Sequence, residues 1–282
     1  MLYIVATPIG NLGDITYRAL ETLKNVDLIA AEDTRHTAKL LAHFDIQKPL
    51  VSYYEHNKMA RGPQLIEKLM DGENIALVSD AGTPGISDPG EDLIRLAIEN
   101  GIEVTMIPGA VAGIMGLVLS GLPTGRFVFE GFLPEDKKKR AERISKIKFE
   151  DRTVILYESP YNIIRTLKDI EAFAPDRTVV ICREMTKKFE EFRRCTATEH
   201  LAYFEENEPR GEFVVILQGY DGELPDNAAA NTVITDEVVY NKVCELMDSG
   251  MDRKKAIKSA AEVLSISRNE AYAAYEKIYK RE

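Results

Sequence analysis

The chain of 282 residues contains no tryptophan, three cysteines and four histidines. Cys182, Cys195 and Cys244 lie far apart and form no Cys-x-x-Cys pair, which excludes a disulfide framework and argues against a structural zinc site. The histidines form no His-Glu-x-x-His motif, and no group of carboxylates has the spacing of metal ligands. We therefore predict no catalytic metal.

Long apolar runs and phosphate-binding motifs are also missing. No apolar run approaches the roughly 20 residues that a membrane span needs. The first residues, Met1–Ala6, lack a basic region and are typical of a strand rather than of a signal peptide, so we expect a cytoplasmic protein without a membrane partner. Neither Gly-x-Gly-x-x-Gly nor Gly-Lys-Ser/Thr occurs, so an NAD or nucleoside triphosphate site has little support.

Charge is distributed unevenly along the chain. The net charge is −10, yet residues 135–148 carry seven basic residues against three acids, and residues 251–282 carry eight against five. An acidic body with local basic patches suits a protein that recognises a polyanion at one place. A run of charged residues is more often only the solvated face of a helix, so the second interpretation remains open.

The first 120 residues alternate between short apolar runs and amphipathic segments. Strands are predicted at Leu2–Ala6, Asp27–Ala31, Leu50–Tyr53, Asn74–Ser79 and Ile102–Ile107. Helices are predicted between and after them at Thr16–Lys24, Thr34–His43, Lys58–Asp71, Glu91–Asn100 and Ala110–Leu119. This alternation predicts βαβ units and a mostly parallel five-stranded sheet.

The rest of the chain predicts a second α/β domain and a helical tail. After a linker at 121–126, strands are predicted at Phe127–Phe132, Arg152–Tyr157, Arg177–Arg183, Phe192–Thr196 and Glu212–Gln218. Several lie at hairpin-like distances, so we expect a mixed sheet. A polar tether at 221–232 leads to three short helices that resemble a helix-turn-helix module, with a Ser267–Glu270 capping box. The predicted domains are 1–120, 127–220 and 236–282.

The segment Ile75–Gly90 joins an apolar strand to a loop of aspartate, glycine, threonine and proline. In open α/β sheets, ligands bind where the carboxyl ends of strands enter such loops. Small residues let the backbone approach a ligand, and free N–H groups at the start of the next helix can hold an anion. A strand-to-helix turn without a ligand has the same pattern, so the loop alone does not decide.

Two other predicted strands end in polar side chains. Ala30–Arg35 supplies two carboxylates and an arginine, and Tyr53–Lys58 supplies two tyrosines, a histidine and a lysine. The first set suits catalysis or substrate docking, and the second suits base stacking and phosphate contact. Both sets also have a purely structural interpretation. The acids of the first set could complement the dipole of a helix that starts at Thr34, and the tyrosines of the second set could simply be exposed at the start of a helix.

Seven segments occur in an order that resembles one known family over roughly residues 1–220: TPIGNLGDIT, AEDTR, SDAGTPGISDPG, PGA, YESP, REMTK and GEFVVIL. They are similar to the tetrapyrrole methylase-like (class III) S-adenosylmethionine methyltransferases and, within them, to a bacterial branch of ribosomal RNA small-subunit methyltransferases. The resemblance implies two α/β domains with S-adenosylmethionine in the cleft between them, and a homodimer. It also implies 2′-O-methylation of a cytidine ribose in the decoding region of 16S rRNA.

The resemblance also implies where the cofactor binds. One wall of the cleft would come from Asp80 through Gly85, with Val111 and Ala112 near the ligand, and the opposite wall from the second domain. The cofactor-binding residues expected in this way are Pro8, Asp80, Gly82, Thr83, Pro84, Gly85, Val111, Ala112, Tyr157, Met185, Glu212, Phe213 and Val214. Relatives often have Gly-Asp-Pro where this chain has Ser-Asp-Ala-Gly-Thr-Pro.

A ribose hydroxyl is a poor nucleophile at neutral pH, so a base or a positive potential should assist it. We hypothesise that Glu32, Asp33, Arg35 and Glu55 frame the acceptor, with one carboxylate as base and the arginine on a phosphate. The RNA-binding residues expected are His36, Lys39, His56, Lys58, Arg61, Lys137, Lys138, Lys139, Arg140, Arg253, Lys254 and Lys255.

Three rival functions remain at this point. A tetrapyrrole C-methyltransferase would share the fold and the cofactor but needs several arginines for the ring carboxylates, and the first half of the chain has no obvious arginine cluster. A non-catalytic RNA-binding module could have kept the cleft, which weak cofactor binding would indicate. An NAD-dependent oxidoreductase has least support, because the glycine fingerprint is missing.

Overall fold

The computed structural model describes residues 1–222, 235–264 and 266–279. Its contacts divide the chain into two compact units, Met1–Asp221 and Gly222–Glu282. From residue 223 onward, the predicted tether lies outside the described residues. None of the helices in the described ranges has the length and apolar character that a membrane span requires.

The first sheet has five parallel strands in the order β3-β2-β4-β1-β5. They are β1 (Leu2–Val5), β2 (Leu28–Ala31), β3 (Leu50–Ser52), β4 (Ile75–Val78) and β5 (Val104–Ile107). Helices α1 (Tyr17–Asn25), α2 (Thr34–His43), α3 (Lys58–Met70), α4 (Gly90–Glu99) and α5 (Ala112–Ser120) follow them in turn. Separate apolar cores cover the two faces of the sheet, which explains why the central strands are apolar throughout. The predicted parallel sheet is confirmed.

The second sheet is mixed, as predicted, in the order β6-β7-β10-β8-β9. Its strands are β6 (Phe127–Phe132), β7 (Thr153–Glu158), β8 (Val179–Arg183), β9 (Glu191–Cys195) and β10 (Phe213–Leu217). β6 and β7 are parallel, and the other pairs are antiparallel. The expectation of several hairpins was wrong, because only β8 and β9 are joined without a helix. The other connections contain α6 (Lys137–Ile147), α7 (Ile163–Phe173) and α8 (Ala197–Glu206).

Helix α5 follows the first sheet in the chain but packs on the second sheet. Leu117 belongs to the apolar cluster that includes Val214 and Ile216 of β10. A Cβ atom at Gly116 would lie 3.2 Å from the side chain of Val214, so a residue without a side chain lets the helix approach the strand closely. Helices α6, α7 and α8 cover the other face around a larger core. The second sheet is thus buried on both faces.

In the second unit, the described residues form the helices α9 (Asp236–Asp248), α10 (Arg253–Val263) and α11 (Arg268–Tyr279). They share a small apolar core built mainly from valine, alanine and tyrosine side chains. The predicted capping box is present, because the Glu270 N–H donates to Ser267 Oγ and the Ser267 N–H donates to the Glu270 carboxylate. The shared core stabilises three short helices that would be marginal alone, and the capping box fixes the start of α11.

Candidate functional site

Four loops, which follow β1, β2, β4 and β5, meet at the carboxyl edge of the first sheet and are held together by hydrogen bonds. Thr7, after β1, pairs with Gly82, after β4, through two backbone hydrogen bonds of 2.8 and 3.1 Å. Thr83 Oγ1 donates to the Ala110 carbonyl at 3.2 Å, and the Asp33 N–H donates to the Asp80 carboxylate at 2.9 Å. The glycine is required at position 82, since its φ is +83°. The loop after β4 is therefore fixed from three sides.

A cavity of about 440 Å³ lies between these loops and the second sheet. We call it the Tyr157 cavity, and its size falls within the range of small-molecule sites. Most of the residues expected to bind the cofactor line it: Asp80, Gly82, Thr83, Val111, Ala112, Tyr157, Met185, Glu212, Phe213 and Val214. Pro8 lines a neighbouring cavity instead, while Pro84 and Gly85 line neither.

Tyr157 connects the two halves at this cavity. Its hydroxyl accepts a 3.0 Å hydrogen bond from the Gly113 N–H at the start of α5. Its ring packs edge-on against Phe129 and Phe132 of β6. Burial raises the pKa of Tyr157, so the hydroxyl stays neutral and its ring presents an apolar wall. The arrangement suits a flat ligand that touches both halves.

The Tyr157 cavity is also acidic. Carboxylates of Glu32, Asp80, Asp88, Glu158 and Glu212 line it, and Lys187 is the cation among the described residues of its wall. Burial and the nearby Asp80 carboxylate raise the pKa of Glu32. A cavity of this charge favours a cationic ligand over an anionic one.

Glu158 was missed by sequence reasoning, although it lies in the YESP segment. It ends β7, is 4% exposed and accepts a 2.6 Å hydrogen bond from Thr166 Oγ1. Thr166 in turn accepts one from Arg140, whose guanidinium pairs with Asp169 at 2.8 Å. Burial raises the pKa of Glu158. The cavity floor thus contains a carboxylate whose orientation is set by a buried polar network.

Asp88 fills the anion position that the sequence predicted for an outside ligand. Its carboxylate accepts hydrogen bonds of 2.8 Å from the N–H groups of both Gly85 and Gly90, the latter at the start of α4. The prediction of free N–H groups at this helix start was therefore wrong. The reason is that a side chain of the loop itself supplies the anion.

A second cavity, of about 470 Å³, adjoins the first and is called here the His36 cavity. Loop residues 7–10 after β1 and the start of α2 enclose it, and His36 and Lys39 belong to its wall. The two cavities share part of their lining: Ile9, Asp80, Ala81, Lys187 and Glu212. Two expected RNA-binding residues thus lie beside the expected cofactor cavity.

The four residues expected to frame the acceptor occupy different surroundings. Glu32 lines the Tyr157 cavity. Asp33 caps α2 and forms a two-point contact with Arg35, which is 87% exposed. Arg35 holds the pKa of Asp33 well below its usual range. Glu55 is exposed, binds Lys58 and lines neither cavity. The structure therefore does not bring all four together.

Tyr53 is another departure from expectation, since it is 1% exposed in the core of the first sheet. It cannot stack on a base, whereas Tyr54 and His56 are exposed and pack edge-on against each other. Close by, Lys58 bridges Glu55 and Asp92, and Arg61 donates to Gln64. At this corner, His56 and Tyr54 are exposed side chains that carry no charged partner among the described residues.

The basic run of α6 is divided between surface and interior. Lys137, Lys138 and Lys139 are exposed in the first turn of the helix. Arg140 is 4% exposed, and its Nε and Nη2 donate to Asp169 and Thr166, so its expected role in RNA binding was wrong because the guanidinium is buried in the protein. Burial follows from its position on the face that also carries Ile144 and Ile147, which pack on the core.

The tail shows a similar division. Lys254 and Lys255 are exposed. Arg253 forms an ion pair with Glu276 and lies over the rings of Tyr275 and Tyr279. Its guanidinium therefore has partners within α11, and the two lysines offer the more accessible charge.

Lys187 is a second residue that sequence reasoning missed, although it lies in the REMTK segment. Its ammonium is 2.8 Å from carboxylate oxygens of both Glu184 and Glu212. Burial works against the charge, but the two hydrogen bonds leave the pKa of Lys187 raised, so it stays protonated. Within the described residues, no three His, Cys, Asp or Glu side chains are grouped closely enough to hold a metal ion.

Solved structures with the same fold have low sequence identity to this chain. A uroporphyrin-III C-methyltransferase from Thermus thermophilus matches with a TM-score of 0.56 at 18% identity, covering 76% of this chain and 93% of that one. A diphthine synthase matches with a TM-score of 0.61 at 16% identity, covering 77% and 89%. A uroporphyrin-III C-methyltransferase structure complexed with S-adenosyl homocysteine matches with a TM-score of 0.54 at 17% identity, covering 77% and 96%. These matches show the fold alone.

Sequence relatives are much closer. Proteins named ribosomal RNA small subunit methyltransferase I are 48% identical in Synechocystis sp., over 96% of both chains, and 45% identical in Escherichia coli O157:H7, over 96% of this chain and 93% of the relative. The Bacillus subtilis protein of that name is 42% identical over 98% and 94%. The family model of the tetrapyrrole (corrin/porphyrin) methylases matches residues 1–200. The chain therefore belongs to the tetrapyrrole methylase family and, within it, to the branch of proteins named ribosomal RNA small subunit methyltransferase I.

Proposed function

We propose that this protein transfers a methyl group from S-adenosylmethionine to the 2′-oxygen of a cytidine ribose in the decoding region of 16S rRNA. The main support is the near full-length similarity to proteins named ribosomal RNA small subunit methyltransferase I. The observation in the molecule that carries the proposal is the acidic, partly apolar Tyr157 cavity, which adjoins a second cavity with cations in its wall.

The residues of the Tyr157 cavity fit S-adenosylmethionine. Apolar side chains of Val111, Tyr157 and Val214 suit an adenine ring, and a Cβ atom at Gly113 would lie only 3.3 Å from the Tyr157 hydroxyl. Asp80 and Glu32 suit the cationic sulfonium and ammonium groups. A phosphate cradle is not needed, because this cofactor has no phosphate.

Of the residues expected to frame the acceptor, Glu32 is the carboxylate that we propose as base, because it lines the Tyr157 cavity whereas Asp33 and Glu55 line neither cavity. Bound S-adenosylmethionine supplies a methyl group on a sulfonium, and the electron pair of the broken carbon–sulfur bond stays on sulfur. Glu32 would take the proton of the 2′-hydroxyl as the oxygen gains the methyl carbon, and its raised pKa brings it nearer to the range of an effective base. Asp33 is less suited, because its carboxylate is already bound by Arg35.

RNA would contact cations around the His36 cavity and on α6 and the tail. His36 and Lys39 are exposed at the first site, Lys137–Lys139 form the second, and Lys254 with Lys255 form the third. Cations spread in this way bind phosphates without reading sequence. A nucleotide in the His36 cavity would have to leave its stack, as occurs when proteins read single-stranded RNA.

A tetrapyrrole C-methyltransferase is the alternative. Its substrate carries several carboxylates, and no arginine belongs to the described lining of either cavity. The carboxylates of the Tyr157 cavity would repel such a ring. Similarity to uroporphyrin methyltransferases supports the fold and not this substrate.

We also expect a homodimer that works in the cytoplasm, where small ribosomal subunits are found. Apolar side chains at the surface support the dimer, among them Ile114, Val118 and Leu119 of α5 and Phe127 and Phe129 of β6. These segments adjoin in the chain, and burial of their apolar surface against a second copy would be favourable.

Transfer of labelled methyl from S-adenosylmethionine tests the function directly. The protein would be offered small ribosomal subunits, deproteinised 16S rRNA and a porphyrinogen in parallel, and the labelled RNA would be mapped by resistance to alkaline cleavage. Label at a single alkali-resistant linkage is the expected result. Label in the porphyrinogen alone would overturn the proposal.

A further inference from the structure

We propose that Lys187 contacts the acceptor nucleotide, and that the His36 cavity is the subsite for that nucleotide's ribose and phosphate. The assignment rests on the proposed RNA methylation. Lys187 is the cation whose side chain lines both cavities, so it lies where a group bound in one cavity meets a group bound in the other.

The backbone around Lys187 is held in an unusual conformation. Glu184 and Thr186, neither of which is glycine, have φ values of +51° and +66°. Side chains are disfavoured in this left-handed region, and residues of this kind cluster at functional sites. Their effect here is to direct Met185 into the Tyr157 cavity while Lys187 reaches the shared wall.

The ammonium of Lys187 is fixed by two carboxylates. Glu184 accepts one of its hydrogen bonds and also one from the Glu212 N–H, so the loop and β10 are joined at this point. Glu212 accepts another at 2.8 Å. An ammonium has three donors, so two contacts leave one for a ligand oxygen.

The loop after β1 is built around this side chain. A Cβ atom at Gly10 would collide with the methylene groups of Lys187, so only glycine lets the loop close over the lysine stem. His36 and Lys39 face the same cavity from α2. Two lysines and a histidine thus lie around a cavity of nucleotide size, beside the carboxylates of Asp80 and Glu212, and their N–H groups can donate to the oxygens of a ribose–phosphate group.

A pre-positioned ammonium at this point would stabilise negative charge that develops on the ribose oxygen while its proton leaves. Because the carboxylates hold the ammonium before the ligand arrives, no reorganisation is needed during the reaction. Removing Lys187 would release Glu212, and a free carboxylate would not weaken the binding of a cationic cofactor. We therefore expect an effect on RNA methylation without loss of cofactor affinity.

The experiment compares wild type, Lys187→Met, Lys187→Arg and the control Lys188→Met, which removes the same charge from the adjacent, exposed position. Methylation kinetics would be measured with the RNA substrate, and cofactor affinity by equilibrium dialysis of labelled S-adenosylmethionine. We expect Lys187→Met to lower kcat/KM for RNA about 10²-fold with cofactor affinity unchanged. Lys187→Arg should retain part of the activity, and Lys188→Met should match wild type.

Gly10→Ala provides a variant that keeps every charge. It should displace the methylene groups of Lys187 and lower kcat/KM for RNA, as Lys187→Met does. The proposal can therefore still be tested if Lys187→Met folds poorly. Equal methylation by wild type and Lys187→Met, or a parallel loss of cofactor affinity and activity, would overturn the assignment of Lys187. Failure of the wild-type protein to label any RNA would instead overturn the proposed function, and the assignment with it.

Discussion

The backbone N–H of Gly113 donates a 3.0 Å hydrogen bond to Tyr157 Oη, which links the start of α5 to strand β7 of the second sheet. Tyr157→Phe would remove the acceptor and leave a part-buried N–H group without a partner. We expect the free energy of unfolding to fall by about 1–2 kcal/mol, measured by urea denaturation. Tyr161→Phe, at a position that is 93% exposed, should have no measurable effect. Equal stability of both variants would show that the hydrogen bond is not formed.

Glu32 should make the free protein less stable as pH rises. Its pKa is raised by burial and by Asp80, so the folded state binds its proton more tightly than the unfolded state does. The stabilisation that comes from this tighter proton binding is complete below the pKa that Glu32 has in the unfolded chain. It is lost as the pH rises through the higher pKa that Glu32 has in the folded protein. Glu32→Gln should therefore be more stable than wild type at pH 8, with a smaller difference at pH 4, in urea denaturation.

The same variant should lose RNA methylation, since an amide cannot accept the proton. Glu55→Gln, an identical change at an exposed carboxylate outside both cavities, is the matched control. A Glu32→Gln protein with wild-type turnover would remove Glu32 from the role of base.

Reversing the charge of Lys137, Lys138 and Lys139 together to glutamate should weaken RNA binding. The negative slope of log affinity against log salt concentration should become shallower by about 2, as expected when three contacts to single-stranded phosphates are lost. Helix α6 should persist, because acids are favourable in the first turn and Asp136 still caps it. Filter binding gives the affinity for RNA. If the affinity is the same with and without the three substitutions, the basic run is only the solvated face of a helix.

Arg140→Met should affect stability instead. The guanidinium is buried, and its loss leaves Asp169 and Thr166 without their partner. Since Asp169 is about a third exposed, water would compensate part of the loss, and we expect a destabilisation of about 2 kcal/mol in urea denaturation. Lys139→Met, at the exposed neighbour, should change stability by less than about 0.5 kcal/mol. The reverse order of the two effects would contradict the buried network.

Val118→Asp should produce a monomer if α5 forms the dimer interface. Val118 is 67% exposed, and a carboxylate buried between two copies would lack a partner. Light scattering after size exclusion gives the mass directly. Met59→Asp, another exposed apolar position, on α3, should leave the dimer intact. A monomeric wild-type protein would contradict the expected assembly itself.

The first sheet was predictable because its strands are buried on both faces and alternate with amphipathic helices. Many residues of the Tyr157 cavity were predictable through the family motifs, and Asp80 and Gly82 also through the loop that follows β4. The burial of Arg140 was not predictable in the same way, because Arg140 continues the basic run of Lys137–Lys139 and only the packing of α6 decides which cation is buried. Its spacing with Ile144 was the signal that could have shown this.

Lys187 and Glu158 escaped prediction for a different reason. The position of Lys187 depends on positive φ at two residues that are not glycine, which no propensity anticipates. The surroundings of Glu158 depend on Thr166 of α7 and on Arg140 of α6. Both had been quoted within motifs, yet which motif residues face a cavity is decided by contacts distant in sequence.

The packing of helix α5 on the second sheet determines how the chain responds to proteolysis and to truncation. Its apolar surface, including Leu117 and the close approach at Gly116, belongs to the core of the second sheet, although it is encoded with the first. A protease that nicks the segment 121–126 should therefore leave two fragments that remain associated. A gene fragment ending at residue 120 would expose this helix and aggregate. The two halves therefore cannot be exchanged independently, because a half taken from another protein would have to bring or accept this helix.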